Sequence, residues 1–362
     1  MVVSFERINI ITDQGINTGI GRYAYSLYCL LKDEFPNIVL YQLSYFKSSQ
    51  IPSARTVDFL KQADKLIEVP IIKYHNFHKL KANGTFKEEN IHLCGTDYSL
   101  SSVSRNCIAT IHDYYLRIPN FKVLKDVRTL SSELYIDYYN TILPSHLKRC
   151  KLIVVDSVKV QNEIRRKLGL AGVVIPLWIG DRFKLGEKTI ARKKLNLPVD
   201  ATLLLNVSGG GANKNLPTLE RLSKILPEKI ELVKIGFPLS SEKVINRREV
   251  TEEDYPSYFN ACDMYINTSI TEGFGIPLIE AMVSGMPVIS SMNEPFVEIL
   301  GDAGIFVNNQ INEYDYLDAV KSLLDPTTYD VYKRRSINRG EAFSSEHARD
   351  KIVDLYKEVF NL

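Results

Sequence analysis

The chain has 362 residues, which favours two domains, and its apolar content of 45% is enough for two hydrophobic cores. Lys and Arg number 45 against 43 Asp and Glu, a formal net charge of +2, which argues against a nucleic-acid-binding protein because such proteins usually carry a basic excess. Five scattered cysteines without a Cys-x-x-Cys pair favour reduced thiols in a cytoplasmic protein, and we expect neither a signal peptide nor a membrane span, because no run approaches ~18 apolar residues.

The first predicted elements are a buried strand at 8–12, a loop, and a helix with one apolar face. Residues 19–24 formally match the Gly-x-Gly-x-x-Ala dinucleotide fingerprint, with Gly19 and Gly21 as its glycines. In that fingerprint the first glycine directly follows the strand, and the second strand ends in an acidic residue. Here several residues intervene, and the second predicted strand, 38–43, ends without an acid. The sequence therefore argues against a nicotinamide or flavin site, and a loop that requires positive φ remains an open alternative.

A later strand of the first domain ends in two polar residues. Residues 108–111 form this predicted strand, which is followed by His112 and Asp113. Functional groups of open α/β sheets gather at the carboxyl ends of the strands, so His112 is a candidate site residue. We expect Asp113 to orient the histidine or to cap the following segment. A further strand of this domain is predicted at 152–157.

A second α/β domain begins with a predicted strand at 201–207, which is followed by a glycine-rich loop and a helix. Asn215 is the predicted N-cap of that helix. Lys214 therefore stands beside a helix N-terminus, where the helix dipole disfavours a cation. A lysine at this place is expected if a diphosphate lies between it and the helix.

A strand, a turn with two glycines and a helix near residue 275 carry most of the predicted chemistry. Gly273 and Gly275 let a ligand approach the backbone closely. The free N–H groups and the dipole of the helix N-terminus favour an anion such as phosphate. Glu272 and Glu280 flank the turn, and a carboxylate suits a vicinal diol because it accepts hydrogen bonds from both hydroxyls. The arrangement predicts a nucleotide-diphosphate sugar as ligand, with a phosphate in the middle and a sugar at each end.

The run from Glu272 to Glu280, Glu-Gly-Phe-Gly-x-Pro-x-x-Glu-Ala, resembles the Glu-x7-Glu motif of retaining glycosyltransferases of family GT4. Two glutamates at this spacing are common on surface helices, whereas the whole pattern between two strands is far more specific. The resemblance implies the GT-B fold, an α/β architecture of two Rossmann-like domains whose parallel sheets face each other across a cleft, with a C-terminal helix that crosses back to the first domain. We place the first domain at 1–178 with the terminal helix 343–362, and the second at 179–342.

The resemblance also implies roles for single residues. Lys214 would bind the donor phosphates and stabilise the leaving group, Glu272 would hold hydroxyls of the donor sugar, and Glu280 would bind the ribose. His112 would orient the donor or the acceptor. Many relatives carry an arginine near the lysine, and this chain has glycines and Asn213 there instead. The other predicted donor-binding residues are Gly19, Gly21, Ser208, Gly209, Asn213, Gly273, Phe274, Gly275, Ile276 and Pro277.

The predicted function is a metal-independent retaining glycosyltransferase that moves a hexose from a nucleotide-diphosphate sugar to a hydroxyl of a glycan, a lipid-linked sugar or a protein glycan. No Asp-x-Asp sequence occurs, so neither a metal nor another cofactor is expected. Two alternatives remain open: another GT-B enzyme such as a sugar-nucleotide epimerase or a phosphorylase, and a non-catalytic nucleotide-sugar-binding protein. The expected partners are the donor and a glycan or lipid-linked acceptor, without nucleic acid. The expected location is cytoplasmic, and the loosely basic residues 73–87 leave open a weak peripheral contact with a membrane.

Overall fold

The computed structural model describes residues 7–12, 14–16, 18–44, 55–58, 90–95, 106–112 and 143–362. The chain divides into two compact units, of which the first combines Met1–Pro176 with Ala348–Leu362 and the second is Leu177–His347. The division from sequence alone lies at 178/179 and 342/343. Asp113 and the loosely basic residues 73–87 lie outside the described residues.

The described part of the first unit contains one sheet of seven parallel strands. The strands are β1 (Ile8–Thr12), β2 (Ile38–Ser44), β3 (Arg55–Asp58), β4 (Asn90–Cys94), β5 (Cys107–Ile111), β6 (Leu152–Val155) and β7 (Val173–Val174). Their order in the sheet is β3-β2-β1-β4-β5-β6-β7, so the chain winds outward from β1 in both directions. Strands β1, β4 and β5 are buried along their whole length, as expected for a parallel sheet covered on both faces.

Three described helices follow strands of this sheet, namely α1 (Gly19–Leu31), α2 (Leu143–Leu147) and α3 (Val158–Leu168). Helix α1 begins after Thr18, whose hydroxyl accepts a hydrogen bond from the Gly21 amide at 3.0 Å. Its buried face includes Tyr23, Leu27 and Leu31, so the predicted amphipathic helix is confirmed.

The second unit contains a sheet of six parallel strands. The strands are β8 (Thr202–Ser208), β9 (Ile230–Gly236), β10 (Val244–Arg247), β11 (Met264–Asn267), β12 (Val288–Ser291) and β13 (Gly304–Val307). Their order is β10-β9-β8-β11-β12-β13, again wound outward from the first strand of the unit. The carboxyl ends of β8 and β11, which are neighbours, therefore meet at one edge of the sheet.

The helices of the second unit pack around this sheet. They are α4 (Lys188–Lys194), α5 (Leu216–Ile225), α6 (Tyr255–Ala261), α7 (Ile276–Val283), α8 (Glu294–Leu300), α9 (Glu313–Ser322) and α10 (Pro326–Gly340). The prediction that the Asn215 side chain caps α5 is wrong. Asn215 occupies the N-cap position with a left-handed φ of 52°, but its side chain accepts from the Thr218 hydroxyl at 2.9 Å and donates to the Gln310 carbonyl at 2.7 Å. A hydroxyl of the same helix and one distant carbonyl thus take the place of the helix amides as partners of this side chain.

The last helix, α11 (Ser345–Phe360), begins at the end of the second unit, and most of its length belongs to the first. Tyr356 is fully buried there, and its hydroxyl lies 2.5 Å from Nδ1 of His92 on β4. The expected return of the terminal helix to the first domain is confirmed. Within the described residues, no helix combines the length and the apolar composition that crossing a membrane requires.

Candidate functional site

The turn between β11 and α7 is shaped by glycine and proline. Gly275 has φ +127°, and a Cβ at this position would lie 3.0 Å from Cδ1 of Leu278 and 3.1 Å from a ring carbon of Phe296. A side chain would therefore meet both steric crowding and an unfavourable backbone conformation. Pro277 occupies the first turn of α7, where a missing N–H costs nothing. The N-cap residue of α7 is thus a glycine, and the positive end of the helix dipole has no capping side chain from that residue.

The glycine-rich loop after β8 packs directly against this turn. Asn213 donates from Nδ2 to the Thr271 carbonyl at 3.1 Å, and its own carbonyl accepts from the Ile270 amide at 2.7 Å. The loop ends in a short 3₁₀ helix, Ala212–Lys214, which aims Lys214 at the turn. Two loops that are distant in sequence are thereby held together by main-chain and side-chain hydrogen bonds.

Lys214 and Glu272 form an ion pair in which Nζ donates to Oε1. The two side chains are 26% and 16% exposed, so the pair is partly shielded from water but open on one side. The structure thus brings together the two predicted residues whose proximity the donor-site prediction required. A cation beside a helix N-terminus remains electrostatically unfavourable unless an acid or a bound anion balances it, and Glu272 is that acid here.

Glu280 lies in the middle of α7 and is 1% exposed. Its Oε2 accepts a hydrogen bond of 2.6 Å from the hydroxyl of Tyr255 on α6. This length is typical of a hydroxyl bonded to a carboxylate, so the bond is charge-assisted. The sequence analysis missed Tyr255, because nothing in the sequence near it indicates a contact with a residue 25 positions later.

Several predicted donor-binding residues present backbone rather than side chain. Phe274 is buried, and its ring packs edge-on against Phe343 at a centroid distance of 6.3 Å. Gly273 is also buried, whereas Ile276 and Pro277 are half-buried. The Phe274 side chain therefore belongs to the core, and only its backbone is left as a means of contacting a ligand.

The carbonyl of Ser208, where the glycine-rich loop begins, is bonded to the buried side chain of Lys234. Lys234 on β9 is fully buried, and its Nζ donates to the carbonyls of Ser208 at 2.7 Å and Ile235 at 2.8 Å. Burial, together with the positive charge of Lys214, lowers the pKa of Lys234 to about 7. Gly209, next to Ser208, is exposed, and a Cβ there would meet open space. Lys234 was not among the site residues predicted from the sequence.

In the first unit, His112 follows β5 and is paired with Asp156, which follows β6. Nδ1 of His112 lies 2.7 Å from Oδ2 of Asp156, a residue that is 1% exposed. Burial raises the pKa of Asp156, and the neighbouring His112 partly offsets that rise. The ring of Tyr23 packs edge-on against His112 at 4.8 Å. The sequence could have indicated this pair, because β5 and β6 are consecutive parallel strands whose carboxyl ends both carry polar residues.

A buried chain of hydrogen bonds lies beside this pair. The Tyr23 hydroxyl lies 3.0 Å from Oγ1 of Thr110, which lies 2.7 Å from Nε2 of His92. The other ring nitrogen of His92 contacts the Tyr356 hydroxyl, so the chain ends on α11. Burial lowers the pKa of His92 to about 3, and this histidine is neutral at ordinary pH.

Close packing explains the glycine at position 21, in the first turn of α1. A Cβ on Gly21 would lie 1.9 Å from the Gly15 carbonyl oxygen, so only glycine fits at position 21. The amide of Gly21 is already bonded to Thr18, while Gly19 is exposed at the start of α1. The close packing accounts for the glycine at 21, and the predicted donor contacts of Gly19 and Gly21 stay predictions.

Among the residues that the structure describes, no three His, Cys, Asp or Glu side chains cluster in a way that could hold a metal ion. The five cysteines are all free.

Comparison with protein families and curated proteins gives a consistent result. Residues 187–339 match the family model described as Glycosyl transferases group 1. The O-antigen chain mannosyltransferase B of Escherichia coli is 24% identical over an alignment that covers 94% of this chain and 96% of that protein. The O-antigen chain mannosyltransferase RfbU of Salmonella typhimurium is 23% identical, with 70% of this chain and 71% of that protein covered.

Solved structures with the same architecture have low sequence identity. Sucrose-phosphate synthase from Thermosynechococcus elongatus matches with a TM-score of 0.78 at 18% identity, covering 98% of this chain and 99% of that one. Anabaena HepE, crystallised in complex with UDP and glucose, matches with a TM-score of 0.76 at 14% identity, covering 97% and 99%. These likenesses confirm the GT-B fold expected from the sequence.

Proposed function

We propose that this chain, in which residues 187–339 match the glycosyl transferases group 1 family model, transfers a hexose, with retention of anomeric configuration and without a metal ion, from a nucleotide-diphosphate sugar to a glycan hydroxyl. The observation that carries the proposal is the Lys214–Glu272 ion pair beside the N-terminus of α7. A cation, the positive end of a helix dipole and a carboxylate in one place suit a diphosphate that is joined to a sugar.

Each residue has a distinct task in this proposal. The donor diphosphate replaces Glu272 as the partner of Lys214, and the lysine and the dipole of α7 stabilise the charge that develops on the leaving phosphate. Glu272, once released, accepts hydrogen bonds from hydroxyls of the donor sugar. Glu280 accepts from the ribose, and the Tyr255 hydroxyl fixes the orientation of its carboxylate.

The acceptor hydroxyl approaches on the face from which the nucleotide leaves, and the leaving phosphate oxygen takes its proton. We assign His112 to orienting the donor or the acceptor, with Asp156 holding the imidazole by its Nδ1. Retention requires no protein nucleophile in this scheme. The absence of an Asp-x-Asp sequence supports the proposal of metal independence.

The likeness to two bacterial O-antigen chain mannosyltransferases favours mannose as the hexose and a bacterial polysaccharide as the acceptor. We include a lipid-linked saccharide among the acceptors, and a cytoplasmic location with weak contact to a membrane surface remains part of the proposal. The donor base is left to experiment, and GDP-mannose and UDP-glucose are suitable first probes.

The proposal is tested with the purified chain in two steps. A thermal-shift screen with GDP-mannose and UDP-glucose identifies the donor, because a ligand that binds only the native state raises the melting temperature. Transfer to a mannose-terminated oligosaccharide is then followed by nucleoside-diphosphate release, and the anomeric configuration of the product is determined by NMR. The expected product keeps the configuration of the donor, and activity persists in EDTA. An inverted product, or loss of turnover in EDTA that Mg²⁺ or Mn²⁺ restores, contradicts the respective part.

A second candidate function is a nucleotide-sugar-binding protein without turnover. The observation that favours it is that Lys214 is already neutralised by Glu272, while the arginine common in relatives is replaced by glycines and Asn213. Donor binding in the thermal-shift screen without any transfer or donor hydrolysis would favour this alternative. An epimerase or phosphorylase is distinguished by its products in the absence of an acceptor.

A further inference from the structure

The fully buried Lys234 is not accounted for by the roles assigned above. It lies in the middle of the sheet, on β9, with Asn206 of β8 and Asn246 of β10 level with it on either side. Its two carbonyl partners, on Ser208 and Ile235, lie where β8 and β9 end. Burying a cationic side chain is costly unless an acid balances it, and an apolar residue would satisfy a sheet interior at lower cost.

The charged and titratable groups around Lys234 decide whether its positive charge is balanced. From the loop above it, Lys214 contributes a positive charge, and the carboxylate of Glu272 is engaged with Lys214. From β11, Tyr265 directs its hydroxyl at the Val207 carbonyl at 3.5 Å, and burial keeps this phenol neutral by raising its pKa. Arg247 follows Asn246 on β10, so its side chain leaves the sheet on the opposite face.

Within the described part of the chain, two lysines thus converge on the glycine-rich loop, and one carboxylate, that of Glu272, is paired with Lys214. The group is one negative charge short when both lysines are protonated, and a neutral Lys234 removes that imbalance. A neutral amine has two N–H donors, and the carbonyls of Ser208 and Ile235 accept two hydrogen bonds from Nζ. An anion bound at the loop would restore the balance with Lys234 in its charged form.

We propose that Lys234 is a positioning residue of the donor site, which holds the Ser208 carbonyl at the base of the glycine-rich loop and takes up one proton from solvent when a nucleotide-diphosphate sugar binds. This inference rests on the proposed function, because it takes the diphosphate to lie at that loop. The proton is transferred to Nζ, no covalent bond of the donor changes, and the lysine supplies a second cation at the loop besides Lys214.

The direction of the pH dependence follows from linkage. With its pKa at about 7, Lys234 is about nine-tenths deprotonated at pH 8 in the free protein. A nearby diphosphate favours the ammonium and therefore raises this pKa in the complex. Donor binding at pH 8 then takes up nearly one proton, and the donor Kd rises with pH between 7 and 9 by at most about tenfold per pH unit.

Isothermal titration calorimetry of the full chain at pH 8 measures this proton directly. Titrations with GDP-mannose and with UDP-glucose are run in HEPES and in Tris, whose ionisation enthalpies differ, so that the difference in binding heat gives the number of protons exchanged. Intact nucleotide sugars are used because their diphosphate does not titrate near neutral pH, whereas that of a free nucleoside diphosphate does. The variants are Lys234→Met, which cannot titrate, Lys234→Arg, which is always charged, and Lys224→Met on the exposed face of α5 as the matched control.

We expect uptake close to one proton per donor bound in the wild-type chain and in Lys224→Met, and loss of most of that uptake in Lys234→Met and Lys234→Arg. The donor Kd of these two variants should be nearly independent of pH between 7 and 9. Binding without proton uptake in the wild-type chain overturns the inference, whether or not the variants fold, and so does unchanged uptake in a folded Lys234→Met. If neither nucleotide sugar binds to the wild-type chain, the proposed function fails, and the inference falls with it.

Discussion

Replacing Lys214 by methionine removes the positive charge at the donor loop while keeping most of the length of the side chain. The lysine makes two kinds of contribution that respond differently to this change. In the free protein it pairs with Glu272, and in the proposed complex it faces the leaving phosphate. The variant therefore separates structural stabilisation from stabilisation of the transition state.

The substitution should affect the free energy of unfolding much less than it affects kcat. Because the paired side chains are 26% and 16% exposed, solvent screens their attraction, and the loss should lower the free energy of unfolding by about 1 kcal/mol or less. Loss of a charge partner of the leaving group should cost about 2.7–4 kcal/mol at the transition state, which is about 10²–10³-fold in kcat. The dipole of α7 remains, but it is worth only about 0.3–1 kcal/mol and does not replace the lysine.

The assay is nucleoside-diphosphate release at saturating donor and acceptor, with the melting temperature recorded for the same preparations. The exposed Lys224→Met serves as the control and should retain wild-type turnover. A Lys214→Met chain that turns over within about threefold of wild type refutes the assignment. The double variant Lys214→Met/Glu272→Gln adds a second check, because recovery of turnover in it would show that the lysine acts only by neutralising the glutamate.

Three further predictions concern other parts of the molecule. Asp156→Asn should lower kcat/KM about 10–150-fold and change its pH profile, because the hydrogen bond to His112 loses its charged acceptor and bonds to charged groups contribute ~1.5–3 kcal/mol. The pKa of His92 is about 3 in the folded protein and 6.5 in the unfolded chain, so only the unfolded chain takes up a proton between these values. The free energy of unfolding should therefore fall by up to about 1.4 kcal/mol per pH unit as the pH decreases from 6.5 towards 3. In urea titrations, His92→Gln should lack this contribution to the pH dependence of stability. Arg192→Met should destabilise the second unit by about 3–5 kcal/mol in urea unfolding, because the Arg192 side chain is 4% exposed and bonded to Asp263 at 2.7 Å. Lys188→Met removes a contact with the same aspartate from a side chain that is 47% exposed, and should cost about 1 kcal/mol or less.

Much of the site was predictable because its signals are local. The Glu-Gly-Phe-Gly-x-Pro pattern specifies a turn and a helix start by the conformational limits of glycine and proline, and the structure shows α7 beginning there. Lys214 was conspicuous because a lysine at a helix N-terminus is unfavourable without an anion. Its proximity to Glu272 came from the structure, in which β8 and β11 are neighbours.

Residues that act through a partner from another element left no such signal. Tyr255 is bonded to Glu280 from a separate helix. The Asn215 side chain donates to the Gln310 carbonyl, 95 positions along the chain, and does not cap its own helix. Each of these contacts depends on how elements pack, which a pattern of residues along the chain does not encode.

The sequence by itself determined the two α/β units, the glycine and proline positions of the turns, and the acidic pair that flanks the turn before α7, since each follows from backbone conformation and periodicity. The tertiary structure decided which charges balance one another. It buried Lys234 beneath the glycine-rich loop and placed Asp156 behind His112, because the pKa and the orientation of an ionisable group are set by desolvation and by neighbours across the sheet.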